Sequence, residues 1–475
     1  MINLISNLIY PARHHASKVF NKLVEFNPIY KNLKHLPIIY LEGNKTKCRD
    51  EDTDRELKFH QESNFMYLTG AHDLPNASAL VYVTNPGSIN EQNISPNHIS
   101  IILFIKPIDP LEVMWSGLPP SIDQLKKLLP DLTDIRYQID FDDHLNSLIN
   151  QFNPQILTLP KISHSKAQSD SALLKAIHEA RTTKTDQEIQ IMRYANQISS
   201  HAHTCLIKSI NSPNIQSELD AESIFLFQSN RQGAKHQAYE PIFGYGHNAG
   251  TLHYNANDAK FPPNFQGVLL VDAGVEILGY ASDITRTLPV GNNGKFTPES
   301  RSIYSIVLEM QNAALQNIKP GIDWQEIQIM MHKVAAKGLL ELGILKNRTI
   351  DECYEEGHVV PFFPHGVGHF LGLDTHDVGG LPNGKVGKHA TMKYLRLQRK
   401  LEAGNVVTVE PGLYFNEFLL EPVKGSEFVD DQVLKNYMNV GGIRIEDNVV
   451  VTEEGCENLT IVVKSIEDIE KLTDI

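Results

Sequence analysis

The sequence predicts two domains, an α/β domain over residues 1–168 and an α+β domain over residues 180–475. A chain of 475 residues is longer than one hydrophobic core usually supports, and its 41% of hydrophobic residues is enough for two cores. Strand and helix signals alternate through the first part, which is typical of an α/β domain. Residues 161–170 (KISHSKAQSD) are polar and rich in lysine and serine, which predicts a linker.

The first domain is predicted to hold buried strands with helices between them. Short apolar runs predict strands at 36–41, 78–84 and 100–106. Helical patterns follow at 121–129 and 141–151. Between the first two strands, the stretch 58–70 (KFHQESNFMYLTG), taken by itself, indicates an amphipathic strand and a turn without a function.

The N-terminal segment YPARHHASKVFNKL predicts the first helix of this domain. Residues 1–24 carry Arg13, Lys18 and Lys22 and no acidic residue, a composition that mitochondrial presequences share. We therefore expect a cytoplasmic protein, with a mitochondrial targeting segment as the alternative.

The second domain is predicted to begin with a long helix. Thr182, Thr183 or Thr185 can cap it, and Asp186 and Glu188 supply negative charge to the first turn. Two further helices are predicted, at 298–317 and 323–342.

Five side chains in the last two hundred residues are candidates for one metal site. Each lies in a short apolar or glycine-rich segment; they are Asp272, Asp283, His369, Glu410 and Glu446. Four carboxylates and one imidazole carry too much negative charge to gather in strand-like segments without a cation. Two divalent ions would resolve this charge, and such a pair is suited to amide hydrolysis.

The two aspartates are predicted to face each other across a hairpin. Residues 266–274 and 279–290 indicate two strands joined by a tight turn, which we place at Glu276–Gly279. In that register Asp272 lies directly opposite Asp283. Directly opposed residues have Cβ atoms about 4.5–5.5 Å apart, and like charges there are destabilising.

The histidine segment is not a zincin helix. His365 and His369 are four residues apart, but the zincin signature requires a glutamate after the first histidine, and Gly366 stands there. Gly366 and Gly368 instead favour a strand or a loop.

The last two carboxylates lie at strand ends or within strands. Glu410 is followed by Pro411 and Gly412, which end a strand. Arg444 and Glu446 are two residues apart, so a strand would point both side chains to one face. An arginine in that position can orient the glutamate and lower its pKa.

From about Thr183 to the C-terminus, these motifs resemble the proline-specific metallopeptidases of the pita-bread fold, the aminopeptidase P and prolidase family. The resemblance implies a pita-bread catalytic domain with a dinuclear centre, usually of manganese. It implies that Asp283 and Glu446 bridge the two ions, that Asp272 binds one ion, and that His369 and Glu410 bind the other. Oxygen-rich coordination with one imidazole also favours Mn²⁺.

The resemblance also implies roles around the metals. Glu410 matches the residue that transfers protons, and His253, His365 and His376 match histidines that contact substrate or stabilise the tetrahedral intermediate. The candidate substrate-binding residues are Arg396, Arg444 and Tyr239. In prolidase, the arginine that matches Arg396 holds the carboxylate of a dipeptide, although a solvated basic stretch is an equal alternative.

The implied substrates are proline-containing peptides. We expect an Xaa-Pro aminopeptidase, with a strict Xaa-Pro dipeptidase as the alternative; a non-catalytic binding module of the same fold is a third interpretation. Residues 58–70 match the N-terminal domain of the same family, in which that domain helps to form a homodimer.

Composition excludes other classes of function. The net charge of −14 argues against a nucleic-acid partner. Four cysteines without paired spacing favour reduced thiols. The sequence contains no apolar run of the length of a membrane span, so no membrane partner is expected.

Overall fold

The computed structural model describes residues 8–32, 35–50, 56–84, 93–382, 384 and 387–474. The chain forms two compact units, Asn7–Arg181 and Thr182–Ile475. The stretch 161–170, predicted as a linker from its composition, lies inside the first unit and ends in a short strand. Its side chains are exposed or half-buried throughout, so its polar composition reflects a surface position.

The first unit is built on a six-stranded mixed sheet with the strand order β4-β3-β2-β1-β5-β6. Its strands are β1 (Ile38–Glu42), β2 (Ser78–Val83), β3 (Ile99–Ile105), β4 (Asp134–Tyr137), β5 (Ile156–Thr158) and β6 (Gln168–Ser169). Its helices are α1 (Ala12–Phe26), α2 (Ser63–Thr69), α3 (Pro110–Ser116), α4 (Ile122–Leu128), α5 (Phe141–Phe152) and α6 (Ser171–Thr182). The three predicted strands and both predicted helices are confirmed to within two residues.

One face of this sheet packs against α5. Tyr40 of β1 and Ile102 and Phe104 of β3, two strands away, lie on that face and meet Leu145 and Leu148 of the helix. Strand β3 is buried at every position. A strand covered on both faces shows a continuous apolar run rather than an alternating pattern, which is why this strand was clear in the sequence.

The prediction of a strand at 58–70 is wrong, because its second half is the helix α2. The carboxylate of Glu62 caps this helix by accepting from the Phe65 amide at 2.7 Å. Gly70 ends it in the left-handed conformation, with φ of 72°. Caps at both ends and burial on nearly all sides outweigh the alternating pattern that favoured a strand.

Helix α1 occupies most of the basic N-terminal segment, as predicted. Residues 1–7 of the alternative targeting segment lie outside the described residues. None of the described helices is long and apolar enough to cross a membrane.

The second unit combines long helices with several small antiparallel sheets. Its helices are α7 (Asp186–Ser209), α8 (Glu218–Arg231), α9 (Pro298–Asn317), α10 (Trp324–Glu341), α11 (Ile350–Glu355), α12 (Glu417–Leu420), α13 (Asp431–Tyr437) and α14 (Ile466–Thr473). Its strands are β7 (His236–Gln237), β8 (Ile242–Tyr245), β9 (Gly267–Asp272), β10 (Val275–Ile277), β11 (Tyr280–Ala281), β12 (Thr285–Val290), β13 (Val406–Val409), β14 (Gly412–Tyr414), β15 (Gly442–Arg444), β16 (Asp447–Val451) and β17 (Cys456–Asn458).

The predicted helices of this unit are confirmed. Thr185 is the residue that caps α7, in a reciprocal capping box with Glu188. Helix α9 has the predicted bounds, and α10 is one residue shorter at each end than predicted.

The aspartate hairpin exists, but its predicted register is wrong. Strand β9 pairs with β12 so that Asp272 lies opposite Thr285, and Ile277 pairs with Tyr280 across the turn. Leu278 and Gly279 form that turn, both with positive φ. The pairing is therefore displaced by two residues from the predicted one. A shift of two preserves the face of every side chain, so Asp283 still lies near Asp272.

A buried arginine joins the strands of this unit. Arg286 on β12 is fully buried, and each of its five N–H groups donates a hydrogen bond of 2.7–2.9 Å. The acceptors are the carbonyls of Thr285, Glu446, Val462 and Val463 and the carboxylate of Asp447. Because all of its donors are used, Arg286 is positioned to fix β12 against β16 and the segment that follows it.

We expect Asp447→Asn to lower the free energy of unfolding by about 3–5 kcal/mol, because it leaves a buried guanidinium without its partner charge. The exposed pair Arg193–Glu457, with side chains 36% and 48% accessible, provides the control. Glu457→Gln should cost less than about 1 kcal/mol in denaturant titrations. Equal effects of the two changes would contradict a clamping role for Arg286.

The difference in the free energy of unfolding between Asp447→Asn and the unchanged protein should be the same at pH 6 and at pH 8. Burial opposes ionisation of Asp447, but Arg286 and Lys464 outweigh it and lower its pKa to about 2. A lowered pKa means that the pair stabilises fully above about pH 4, the ordinary range for aspartate, and is lost as the pH falls toward about 2. Denaturant titrations at both pH values measure this difference.

Candidate metal centre and active site

Three of the predicted ligands converge in the interior of the second unit. Asp283, His369 and Glu446 are all buried, and one ligand atom from each lies within 4.8 Å of the others. They come from distant parts of the chain: the segment before β12, a loop that follows α11, and the turn between β15 and β16.

The other two predicted ligands flank this cluster. Nε2 of His369 lies 3.4 Å from Oε1 of Glu410 and 3.6 Å from Oδ2 of Asp283. Glu410 follows β13 directly, as the Pro411–Gly412 pair predicted. Its side chain is 18% exposed, which makes it the most accessible of the five.

The backbone around His369 fixes the orientation of its imidazole. Its Nδ1 lies 2.9 Å from the carbonyl of Phe370, which can only accept, so Nδ1 carries the proton when the ring is neutral. Nε2 then faces Asp283 and Glu410. Burial lowers the pKa of this ring, but the two carboxylates raise it above its usual range. A histidine held in this tautomer by a carbonyl is the arrangement that metal-binding sites use.

Both oxygens of Asp272 are held by other side chains. The Tyr239 hydroxyl donates to Oδ1 at 2.6 Å, and Nη2 of Arg444 donates to Oδ2 at 2.6 Å. Arg444 was predicted to orient Glu446 and to lower its pKa. Its direct carboxylate partner is Asp272, but its charge does act to lower the pKa of Glu446. It reaches Glu446 through Thr285, whose hydroxyl accepts from Arg444 Nε and donates to Glu446 Oε2 at 2.8 Å.

Asparagine 448 holds the main chain of Asp283. The Asp283 amide donates to Oδ1 of Asn448 at 2.8 Å, and Nδ2 of Asn448 donates back to the Asp283 carbonyl. This reciprocal pair joins the aspartate hairpin to β16. It sets the position of the Asp283 carboxylate without touching it.

The carboxyl groups cannot all be ionised without additional positive charge. Burial raises the pKa of Asp272, against the opposing effect of Arg444. Burial raises the pKa of Glu410 to about 7, and burial together with the neighbouring carboxylates raises that of Glu446 far above its usual range. Burial also disfavours the Asp283 carboxylate, but the hydrogen bond and charge of His369 lower its pKa. Carboxylate oxygens with one imidazole are donors that fit divalent ions such as Mn²⁺.

The predicted substrate residues surround this cluster. His376 packs edge-to-face against His369, with ring centroids 4.4 Å apart. Burial, then the charges of His369 and Arg396, lower the pKa of His376 to about 3, which places Arg396 within electrostatic reach. His253 is exposed, and its charge also acts on His376.

His365 lies beside Glu410, with its Nδ1 3.8 Å from the Oε2 atom of that carboxylate. Its Nε2 lies 2.8 Å from the Tyr414 hydroxyl, which accepts from Nη1 of Arg444 at 2.9 Å. Burial, reinforced by the charge of Arg444, lowers the pKa of His365 to about 3, so the ring is neutral near pH 7.

Four residues that support the site were not predicted from the sequence. They are Thr285, Tyr414, Asn448 and Gln328, the last of which is considered below. Strand pairing could have indicated Tyr414, because Gly412 pairs with Arg444 and Tyr414 lies two residues further on the same face. That register was not readable from the sequence.

The chain is similar to known proteins over nearly its whole length. Residues 190–453 match the model of metallopeptidase family M24, and residues 21–157 match the aminopeptidase P N-terminal domain. A probable Xaa-Pro aminopeptidase of Paracoccidioides brasiliensis is 42% identical, with 98% of this chain and 97% of the relative covered. One from Ajellomyces dermatitidis is 43% identical over the same shares of the two chains.

Solved structures show the same fold. Aminopeptidase P from E. coli, with the inhibitor Pro-Leu, matches with a TM-score of 0.75 and 30% identity over 96% of this chain and 98% of that chain. Proline aminopeptidase P II from Yersinia pestis matches with a TM-score of 0.74 and 30% identity over 96% and 99%. The expected pita-bread fold is confirmed. The chain is a hydrolase that belongs to metallopeptidase family M24 and carries an N-terminal domain of the aminopeptidase P type.

Proposed function

We propose that the protein is an Xaa-Pro aminopeptidase that removes the N-terminal residue from peptides with proline in the second position. The observation that carries this proposal is the convergence of Asp283, His369 and Glu446 beside the more accessible Glu410. The intact and convergent set speaks against a non-catalytic binding module. Relatives called Xaa-Pro aminopeptidases, similar over almost the whole chain, support the substrate class.

The site is proposed to hold two divalent ions, with Mn²⁺ favoured by the oxygen-rich donors. Asp283 and Glu446 would contact both ions, Asp272 one ion, and His369 with Glu410 the other. When bound, the ions lower the pKa of a water molecule and polarise the scissile carbonyl.

Glu410 is the residue proposed to move the proton. Its side chain is the most exposed of the five, which suits a group that accepts a proton from water and returns it to the leaving nitrogen. The leaving nitrogen belongs to proline, which has no N–H in the peptide and must gain a proton to depart. Partial exposure of the Glu410 carboxylate supports contact with an entering peptide.

The three histidines would act on the peptide itself. His365 lies against Glu410, His376 against His369, and His253 is exposed beside them. The ring of His376 is neutral near pH 7, so it can donate to the carbonyl oxygen as negative charge develops on it. Tyr239 and Arg444 would contribute by holding the two carboxylate oxygens of Asp272.

The strict dipeptidase alternative is not retained. The relatives named above are described as aminopeptidases, and the first unit matches the aminopeptidase P N-terminal domain. Arg396, the candidate for a dipeptide carboxylate, is exposed.

A homodimer in the cytoplasm is part of the proposal. Helix α3 presents Leu111, Met114 and Trp115 to solvent with exposures of 74%, 69% and 81%. Apolar side chains grouped in this way on one short helix support a subunit contact. Sedimentation analysis measures the oligomeric state directly.

Elemental analysis after Mn²⁺ reconstitution should give about two equivalents per chain. Asp283→Ala should retain less than one equivalent and lose more than about a hundredfold in turnover, since removal of a shared ligand costs several kcal/mol and each 1.4 kcal/mol is one decade. Asp351→Ala, an exposed aspartate of α11, is the control and should retain both ions. An Asp283→Ala variant with two ions would show that this residue is not a ligand.

The unmodified enzyme should release alanine from Ala-Pro-Pro-Ala and leave Ala-Ala-Pro-Ala intact. Proline in the second position provides a tertiary amide with a fixed ring, and the other peptide provides a secondary amide at the same bond. Chromatographic detection of free alanine measures both. Hydrolysis of Ala-Pro together with no cleavage of Ala-Pro-Pro-Ala would restore the dipeptidase interpretation.

Arg396→Ala should change kcat/KM for Ala-Pro and for Ala-Pro-Pro-Ala by similar, small factors. An exposed guanidinium gains little from pairing with a carboxylate in water. Lys393→Ala, another exposed cation of the same segment, is the control. A loss of roughly ten- to 150-fold confined to Ala-Pro would instead identify a buried carboxylate contact worth about 1.5–3 kcal/mol.

A further inference from the structure

Helix α10 contains a fully buried glutamine that contacts the loop carrying His365. The Oε1 atom of Gln328 accepts from the Val367 amide at 2.6 Å. Its Nε2 lies 3.1 Å from the His365 carbonyl and 3.0 Å from the Thr391 carbonyl. The Val367 amide can only donate and the two carbonyls can only accept, so these contacts fix the orientation of the amide group.

The amide of Gln328 pairs with this loop as a neighbouring strand would. It meets the carbonyl of His365 and the N–H of Val367, two residues further on, and so satisfies both backbone groups. On the other side of the loop, the Glu410 amide donates to the Val367 carbonyl at 2.8 Å. The three-residue loop is thus held between Gln328 and the backbone of Glu410.

Ring contacts reinforce this arrangement. His332, one turn after Gln328, lies 3.0 Å from it through Nε2 and stacks on Phe363 with ring centroids 4.6 Å apart. Phe363 in turn meets His365 edge-on at 5.0 Å. Burial lowers the pKa of His332 to about 3, so its ring is neutral near pH 7 and adds no charge beside the loop.

We propose that Gln328 is a positioning residue of the peptidase reaction, which holds the His365–Val367 loop so that His365 stays against Glu410. Within the described part of the chain, Gln328 forms its hydrogen bonds with His332, His365, Thr391 and Val367, and with none of the five proposed ligand side chains. Its effect would therefore reach the reaction only through the position of His365. This inference rests on the proposed function, because it assigns the loop a part in peptide hydrolysis.

Gln328→Met keeps the length and the helix propensity of the side chain and removes the amide. We expect kcat for Ala-Pro-Pro-Ala to fall roughly ten- to a hundredfold, the range for a displaced catalytic group, with KM and the content of two metal equivalents unchanged. Gln311→Met on α9 is the matched control. It is also a fully buried helical glutamine, and neither of its polar atoms has a hydrogen-bond partner in the described part of the chain.

A double-mutant cycle with His365→Ala separates positioning from general loss of structure. If Gln328 acts through His365, the Gln328→Met change should cost less than about twofold in the His365→Ala background. The same ten- to hundredfold loss in both backgrounds would overturn the proposal. So would equal losses from Gln328→Met and Gln311→Met.

Gln328→Glu provides a second variant if Gln328→Met does not fold, as judged by its thermal midpoint. It keeps the oxygen that accepts from Val367 and removes the N–H groups that face His365 and Thr391, and the same coupling to His365→Ala is expected. Turnover by the unmodified enzyme is measured alongside. No release of alanine by that enzyme would contradict the proposed function, whereas turnover without coupling would contradict the role of Gln328 alone.

Discussion

Four carboxylates lie close together inside the second unit, with one guanidinium and one imidazole as their nearest positive partners. Charges at these separations interact strongly once water is removed, and an unbalanced buried charge costs several kcal/mol. Arg444 compensates Asp272, and His369 compensates Asp283. Glu446 forms no ion pair within the described part of the chain, and burial and then the neighbouring carboxylates raise its pKa far above the usual range. The site is therefore built for positive charge that the chain itself does not supply, and its other features follow from the need to hold these groups in place.

The holding groups are hydrogen bonds between strands that are distant in sequence. Arg286 ties β12 to the main chain at Glu446, Asn448 ties the aspartate hairpin to β16, and Thr285 links Arg444 to Glu446. Each of these contacts is buried and joins a ligand-bearing segment to another one. A change in any of them would shift a carboxylate of the site. The contacts that stabilise the fold are therefore also the contacts that position the proposed metal ligands.

Much of this could be predicted from the sequence, and the failures have physical causes. Asp272 was predicted from its apolar strand. Its pairing with Thr285 depends on where the turn falls, and two turn positions keep its side chain on the same face of the hairpin. The stretch 58–70 alternates like a strand, yet its caps make a helix. Arg444 was predicted as part of the site, but its direct hydrogen bond to Asp272 was not predicted, and neither was the role of Gln328. Such partners depend on packing between distant segments, which residue spacing does not encode.

Diffraction from crystals of the Mn²⁺-loaded protein, recorded at the manganese absorption edge, would show directly whether these five side chains hold two ions. We expect two anomalous peaks between Asp283 and Glu446, with Asp272 beside one peak and His369 and Glu410 beside the other. A two-metal centre places its ions about 3.5–4 Å apart. A single peak, or peaks away from these five side chains, would contradict the assignment of a dinuclear peptidase centre.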